Sequence, residues 1–411
     1  MSEDRQTGVR PDDLSGQQRR LGKKGLIAFL TILSAFIPLS TDLYLPALPH
    51  MTQYFGVPEY QTNLTLILFF VFYAVSLLIW GPLSDRYGRR PILLVGLCAY
   101  TLAGGLCALS PNVYFLMLFR VLQAVGAGAG TAVATAIVKD VYRGRRREAI
   151  LAMVQSMVVI SPAVAPMVGA AILNLSSWRG TFWAQAFLGL VAVLMTVAYA
   201  ETLALKNTGS PLASLRRLGV VLAHPTFARL LLIFAPVSLS GMAFISSSSY
   251  IYQDDFGVSS QGFSLFFALF AVGLAVGPLL YIRLSRTWQR NSIVTGCLAM
   301  IALSGLLVLV VGGRGPWAFI LTVLPSGLAL SCMRPPTTSL LLDQHESDAG
   351  SMSALMGATH MVMGSIGMVI VSLELGSRVV VLGALTLAVG LVSAGLWLRV
   401  GIRLARRQRG T

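Results

Sequence analysis

The sequence predicts an all-α membrane protein of twelve spanning helices in two related bundles of six. Three observations predict it. First, 55% of the 411 residues are hydrophobic and only 11% are charged, with mean hydropathy +0.74; a soluble domain carries about a quarter charged residues. Second, apolar runs of about 20 residues, the length that crosses hydrocarbon, recur along the whole chain. Third, the basic residues gather in alternate connections. Backbone groups in lipid must be satisfied within the segment, so the spans are helices rather than open sheet.

In chain order the spans run over 25–48, 62–82, 91–110, 113–138, 148–173 and 180–200, then 226–250, 262–282, 291–312, 317–341, 350–373 and 379–399. This gives a tail over 1–24, a six-helix bundle over 25–200, a linker over 201–225, a second bundle over 226–399 and a basic tail over 400–411. Met1 to Lys24 is polar and shows no cleavable-signal pattern. With both termini inside, 26 of the 31 lysines and arginines fall on inner segments. Arg179, Arg314 and Arg378 fall outside, and Arg120 and Arg334 fall within spans. The positive-inside rule then places both ends in the cytoplasm, and a bacterial inner membrane is expected. The net charge of +15 is topological, so no nucleic-acid partner is expected. Cys98, Cys107, Cys297 and Cys332 all lie in apolar spans and read as small buried hydrophobes. No Cys or His spacing forms a metal site.

Span one ends in Pro38-Leu-Ser40-Thr-Asp42-Leu-Tyr44-Leu-Pro46-Ala-Leu-Pro49. An acid inside a span is costly and marks a proton or ion site; the bland alternative is a carboxylate capping backbone at the interface. The prolines should kink or end the helix. Between spans two and three stands Gly81-Pro-Leu-Ser-Asp85-Arg86-Tyr-Gly88-Arg89-Arg90. An ordinary basic turn would leave its glycines and aspartate unexplained. Span four carries Arg120-Val-Leu-Gln123 and then Gly126, Gly128 and Gly130, small residues that allow close helix packing. Arg120 lies at about the Asp42 level, within side-chain reach; the alternative is snorkelling to headgroups. Span five carries Pro162, Pro166 and Gly169, a bend with a smooth face.

The loop Gly81 to Arg90 resembles the signature of the major facilitator superfamily of transporters, whose halves are parallel repeats with the substrate site between them. Gly277-Pro278-Leu279 followed by Arg283, Arg286 and Arg290 echoes it in the second half. Pro162, Pro166 and Gly169 resemble the antiporter motif of that superfamily in part; Ser161 and Ala170 stand where glycine is common. Together with Lys139-Asp140-Val-Tyr142, these stretches resemble the Bcr/CflA subfamily of proton-driven drug exporters, strongly over 25–202 and more weakly beyond. The resemblance implies a major facilitator fold and export of drug-like molecules. It implies Asp42 as the coupling acid, Arg120 as its partner, and Gly81, Asp85, Arg86, Gly88, Arg89 and Asp140 as a cytoplasmic gate latching the two halves. Some related exporters carry a second acid two turns before the first; here that position is Ser34.

Tyr44, Phe69, Tyr73, Gln123, Met157 and Met242 are candidate cavity linings. Arg334, in Cys332-Met-Arg-Pro-Pro336, is a candidate cavity cation favouring anionic or zwitterionic cargo, and His360 a candidate relay; snorkelling and simple packing are the respective alternatives. Ser246 to Ser249 and Tyr250 should line the outer end of span seven with hydroxyls. Glu374 and Arg378 should form a solvated pair. Residues 212–222 form an amphipathic helix or an irregular basic linker, with Arg216 and Arg217 toward headgroups. The expected partners are small-molecule cargo, protons and lipid, with the protein a monomer. No cofactor beyond the proton gradient is expected. A transporter of an endogenous metabolite is the rival within transport. A receptor or an enzyme fits less well: the non-membrane segments are short, and there is no phosphate-binding loop or nucleophile triad.

Overall fold

A computed structural model describes residues 20–203, 211–344, 349–373 and 375–409, and the regular structure among these is helical. The first half begins with α1 (Gly22–Thr41), a tight turn over Leu45–Ala47 and α2 (Leu48–Phe55). It continues with α3 (Glu59–Tyr87), α4 (Arg89–Ala108), α5 (Val113–Val141), α6 (Gly144–Leu175) and α7 (Trp178–Ala198). A linker helix α8 (Pro211–Leu222) leads to α9 (Pro225–Phe234) and α10 (Val237–Tyr250), which runs on as a wider turn over Ile251–Asp255. Then come α11 (Ser260–Leu284), α12 (Arg290–Val311), α13 (Pro316–Leu342), α14 (Ala349–Ser372) and α15 (Arg378–Arg409).

Among the described residues, ten helices are long and apolar enough to cross a membrane, eleven with the bent pair at the start. The bend is 47°, between Gly22–Phe36 and Pro38–Phe55, so the prolines break the first span as expected. The remaining expected span, 148–173, lies within α6, whose 32 residues extend about 48 Å although its apolar part is the shorter Ile160–Leu175. Of the two alternatives for the linker, the structure has the helix, over Pro211–Leu222, with Arg216 exposed. The Arg217 side chain lies outside the described residues.

Close packing follows the small residues. A Cβ on Gly126 would stand 2.5 Å from the Gly96 carbonyl oxygen, and one on Gly128 only 1.9 Å from the Ser76 hydroxyl. These contacts bring α5 against α4 and α3. Asn112 starts α5 by accepting from the N–H groups of Tyr114 and Phe115, both at 3.1 Å. Cys107, Cys297 and Cys332 are buried, but Cys98 is exposed on the outer surface of α4, where only its spacing distinguishes it from the buried face.

Each half has an apolar core of its own: Phe29, Leu93 and Ile137 belong to the first, Phe227, Leu298 and Trp397 to the second. A third core is shared. Tyr44, Leu48 and Met51 from the first half pack in it with Ile251, Phe267 and Phe319 from the second. It lies on the side opposite the basic loops. There α14 packs on α3 and α11 packs on α6. The halves are thus fused at one side and separately cored at the other.

Candidate functional site

The break in the first span creates the site. Asp42 follows the last residue of α1, its N–H bonded to the Pro38 carbonyl at 2.7 Å. Its side chain is 6% exposed and takes a hydrogen bond from the Thr41 hydroxyl at 3.0 Å. Among the described residues no cation pairs with it. The antiporter-like motif sits beside it: a Cβ on Gly169 would lie 1.8 Å from the Leu43 carbonyl oxygen, so only glycine lets α6 approach the break this closely. One turn earlier, the Pro166 carbonyl accepts from the Ser264 hydroxyl of the other half at 2.9 Å.

Arg120 does not meet the Asp42 carboxylate. It is fully buried and donates instead to the carbonyl of Ser40 at 3.0 Å and to the Gln123 side-chain oxygen at 2.8 Å, with a weak reach to the Thr65 carbonyl at 3.4 Å. Gln123 in turn donates to Gln185 at 2.9 Å. The guanidinium lies 4.6 Å from the Tyr44 ring centre, 4.2 Å from Phe69 and 5.8 Å from Phe182. A desolvated cation over a ring face gains about 2 kcal/mol, which is how this charge is held without an acid. Nη2 of Arg120 is buried without a hydrogen-bond partner. Snorkelling is thereby excluded. The expected cavity positions Tyr44, Phe69, Tyr73 and Gln123 are corrected: all are sealed, none more than 1% exposed, because they close around the Arg120 region. Met242 is half-buried and packs on Gly364 of α14. The Met157 side chain lies outside the described residues.

The basic loop builds a compact ionic cluster. Arg89 is 4% exposed. It donates to Asp85 at 2.5 Å, to Asp140 at 2.9 Å and to the Ser84 hydroxyl at 2.7 Å. Glu201, which sequence reasoning left in the linker, accepts from the N–H groups of Arg89 and Arg90 at 3.1 and 3.0 Å. It caps α4 with a negative charge at its positive end. Gly88 has φ +109°, and a Cβ there would stand 2.7 Å from the Glu201 carboxylate, which explains that glycine twice over. Two expectations are corrected. Arg86 is exposed over the Tyr87 ring at 5.5 Å and takes no part in the cluster. The cluster does not latch the halves in this conformation, since Ser84, Asp85, Arg89, Asp140 and Glu201 all belong to the first half. A Cβ at Gly81 would meet nothing within 4 Å, whereas one at its repeat partner Gly277 would stand 1.9 Å from Ser331.

The latch between halves lies at the opposite side. Arg378 donates to Glu59 at 2.7 Å and also to Asp255, and stands 5.6 Å from the Tyr250 ring centre. Glu374, its expected partner, lies outside the described residues. Nearby, Asn63 donates to Ser372 at 2.9 Å and Thr52 meets Tyr250 at 3.1 Å. Ser249 donates to the Leu45 carbonyl at 2.6 Å and Gln253 to the Pro46 carbonyl at 3.0 Å. Pro49 has no N–H to give Leu45 in a helix, and Ser249 fills that place. The hydroxyls of Ser246, Ser247 and Ser248 bond back into their own helix, so only Ser249 and Tyr250 of the expected polar lining face the other half.

In the second half, Arg334 is exposed although protein surrounds its level of α13. His360 on α14 is half-buried and close enough for the Arg334 charge to act on its ring. Thus the residues expected at one cavity divide between a sealed cage and an open cationic face.

The chain matches the model of the Major Facilitator Superfamily over residues 29–368. It is 30% identical over 357 residues to the uncharacterized MFS-type transporter YdgK of Bacillus subtilis, covering 85% of this chain and 88% of that protein. It is 31% identical over 368 residues to a chloramphenicol resistance protein of Pseudomonas aeruginosa, covering 85% and 84%. Over 250 residues it is 28% identical to the multidrug resistance protein MdtL of Klebsiella pneumoniae, covering 60% and 62%. Among solved structures, a peptide transporter POT in complex with sulfate superposes with TM-score 0.76 at 15% identity, covering 96% of this chain and 99% of that one. The human organic anion transporter MFSD10 superposes with TM-score 0.68 at 18% identity, covering 92% and 99%. The helical halves, the loop signature and these matches agree: this chain is a multi-pass membrane protein of the major facilitator superfamily.

Proposed function

We propose that this protein is a proton-coupled exporter of drug-like small molecules, of the Bcr/CflA kind, in a bacterial inner membrane with both termini cytoplasmic. The observation that carries the reading is Asp42: a buried acid at a helix break, bonded to a neighbouring hydroxyl, with the antiporter-like glycine pressed against the next residue. The similarity to a chloramphenicol resistance protein and to MdtL supports a drug cargo.

The geometry supports alternating access. A shared core and hydrogen bonds between halves close the outer side, whereas the inner side has two separate cores, bridged by the linker helix α8 and by Met361. Gly81 faces empty space here; its small size serves the other conformation, when the inner ends of the halves meet. Protonation of Asp42 from outside removes its charge. Reprotonation and release at the two sides then alternate with cargo. Arg120, held on the Ser40 carbonyl two residues before Asp42, is the fixed charge that senses the carboxylate as the break moves. One proton crossing ~100 mV supplies about 2.3 kcal/mol, and half a pH unit adds about 0.7 kcal/mol. Together they sustain roughly a hundredfold gradient of a neutral cargo.

The test is reconstitution in liposomes holding a pH-sensitive dye, with chloramphenicol added under an imposed pH gradient. Drug-dependent proton movement is expected in the wild type and should vanish in Asp42→Asn while the protein stays folded. Undiminished proton movement in Asp42→Asn would sink the coupling role.

A further inference from the structure

The second half holds a charged face that neither the Asp42 site nor the two ionic clusters use. On α13, Ser326, Leu330 and Arg334 follow at four-residue intervals and so share one side of the helix. Ser326 and Leu330 line a small void inside the second half with Ser240, Phe244, Ser304 and Thr386, one that Arg334 itself does not line. The lipid-side stripe of α13, marked by exposed Trp317 and Leu321, runs along the other side. Arg334 is therefore exposed to the interior of the bundle, not to lipid.

His360 repeats the pattern on α14. The exposed residues Val362, Ile366, Val369 and Leu373 mark that helix's lipid stripe, and His360 stands half a turn away from it. Among the described residues no carboxylate pairs with Arg334. An unpaired arginine within a span is costly and persists where something anionic answers it. The contrast with Arg120 is direct. Arg120 is wrapped in ring faces and carbonyls and sealed, whereas Arg334 has no such wrapping and faces open space.

We propose that Arg334, with His360 beside it, is an anion-binding subsite of the transport cavity, and that the protein takes cargo bearing a carboxylate or similar anionic group. The proposal rests on the exporter reading for the word cargo, but the subsite itself does not. A guanidinium presents a planar fork of donors that fits a carboxylate with two parallel hydrogen bonds. His360 adds a ring nitrogen on the facing helix to orient the rest of the molecule.

The test reads local charge without needing a known ligand. Gly357 lies one turn from His360 on the same face of α14, and a Cβ there meets nothing within 4 Å, so Gly357→Cys fits. In the full chain with the four native cysteines replaced by alanine, this thiol is reacted with anionic sulfonatoethyl and cationic trimethylammonioethyl methanethiosulfonate. Each rate is divided by that of the same reagent with a free thiol. The anionic reagent should be favoured about tenfold. Arg334→Gln should bring the ratio to about one, and Arg334→Lys should keep most of it, which separates charge from misfolding. A ratio near one with Arg334 in place, or no labelling by either reagent, overturns the subsite.

The cargo class is read with chloramphenicol hemisuccinate and its methyl ester as competitors of labelling. The free acid should protect at about tenfold lower concentration, and that advantage should vanish in Arg334→Gln. Equal protection, or none, overturns the anionic class. Drug-driven proton movement, read with chloramphenicol and with its hemisuccinate, is a separate assay. If it fails while the charge preference stands, the exporter reading falls and the subsite remains; the reverse result removes the subsite alone.

Discussion

Two ionic clusters bracket this molecule, and they are built in opposite ways. At the basic side Arg89 gathers Asp85 and Asp140 within one half, while Glu201 caps the adjoining helix start. At the other side Arg378 ties Glu59 of the first half to Asp255 of the second. The first cluster fixes a helix start and a loop; the second holds two bodies together. One is architecture within a half; the other, on the alternating-access reading proposed above, is a bond that the cycle has to break. The burial agrees: the Arg89 side chain is 5% exposed and that of Arg378 28%, so water can reach the second more easily.

The largest effect expected from this contrast is at the Arg89 cluster. Arg89→Ala should lower stability by about 3 kcal/mol, the low end for breaking a buried pair because Asp85 keeps its water. Thermal unfolding in detergent checks it. Arg86→Ala, three residues earlier across the Gly88 break and exposed, should change stability by less than about 0.5 kcal/mol. Equal effects of the two would erase the distinction between cluster and bystander.

On the same reading, the latch between the halves should show itself in motion and not in folding. Arg378→Gln should shift the balance toward outward opening by about 1–2 kcal/mol, a factor of about 5–30. Labelling of Leu48→Cys, buried in the shared core, by an impermeant thiol reagent should speed up by that factor in a background without native cysteines. An unchanged rate with an intact fold would show that the shared apolar core, and not the ion pair, holds the outer side. The smallest effect is at the helix cap. Glu201→Gln keeps an acceptor and loses the charge, so it should cost about 0.5 kcal/mol, readable as increased hydrogen exchange at Arg89 and Arg90.

The contrast also marks what the sequence made legible. The inner cluster lies largely in a ten-residue motif, so its members could be named in advance, although their latching role could not. The spans, the two halves, Asp42 and the buried Arg120 were legible for the same local reason: apolar periodicity interrupted by a charge. Glu201 was missed because it returns to the motif across 112 residues, and Glu59 because its partner Arg378 is 319 residues away. The available signal was weak: an acid at the start of one span and an arginine at the start of another, both on the sparsely charged side. The cavity list failed differently. Aromatic residues near a buried cation suggest cavity linings, but a cation without an acid needs those rings as its solvent. The Asp42–Arg120 pairing failed because the broken helix offers Arg120 a carbonyl first.

The shared core has one more consequence. Opening the outer side must wet Tyr44, Leu48, Ile251, Phe267 and Phe319, which now pack against each other across the halves. Hydrating apolar surface raises the heat capacity. On the alternating-access reading, the balance between the two access states therefore curves with temperature instead of shifting in a straight line. Cooling weakens the apolar hold between the halves, so on that reading this one contact is a built-in thermal bias on which way the molecule faces.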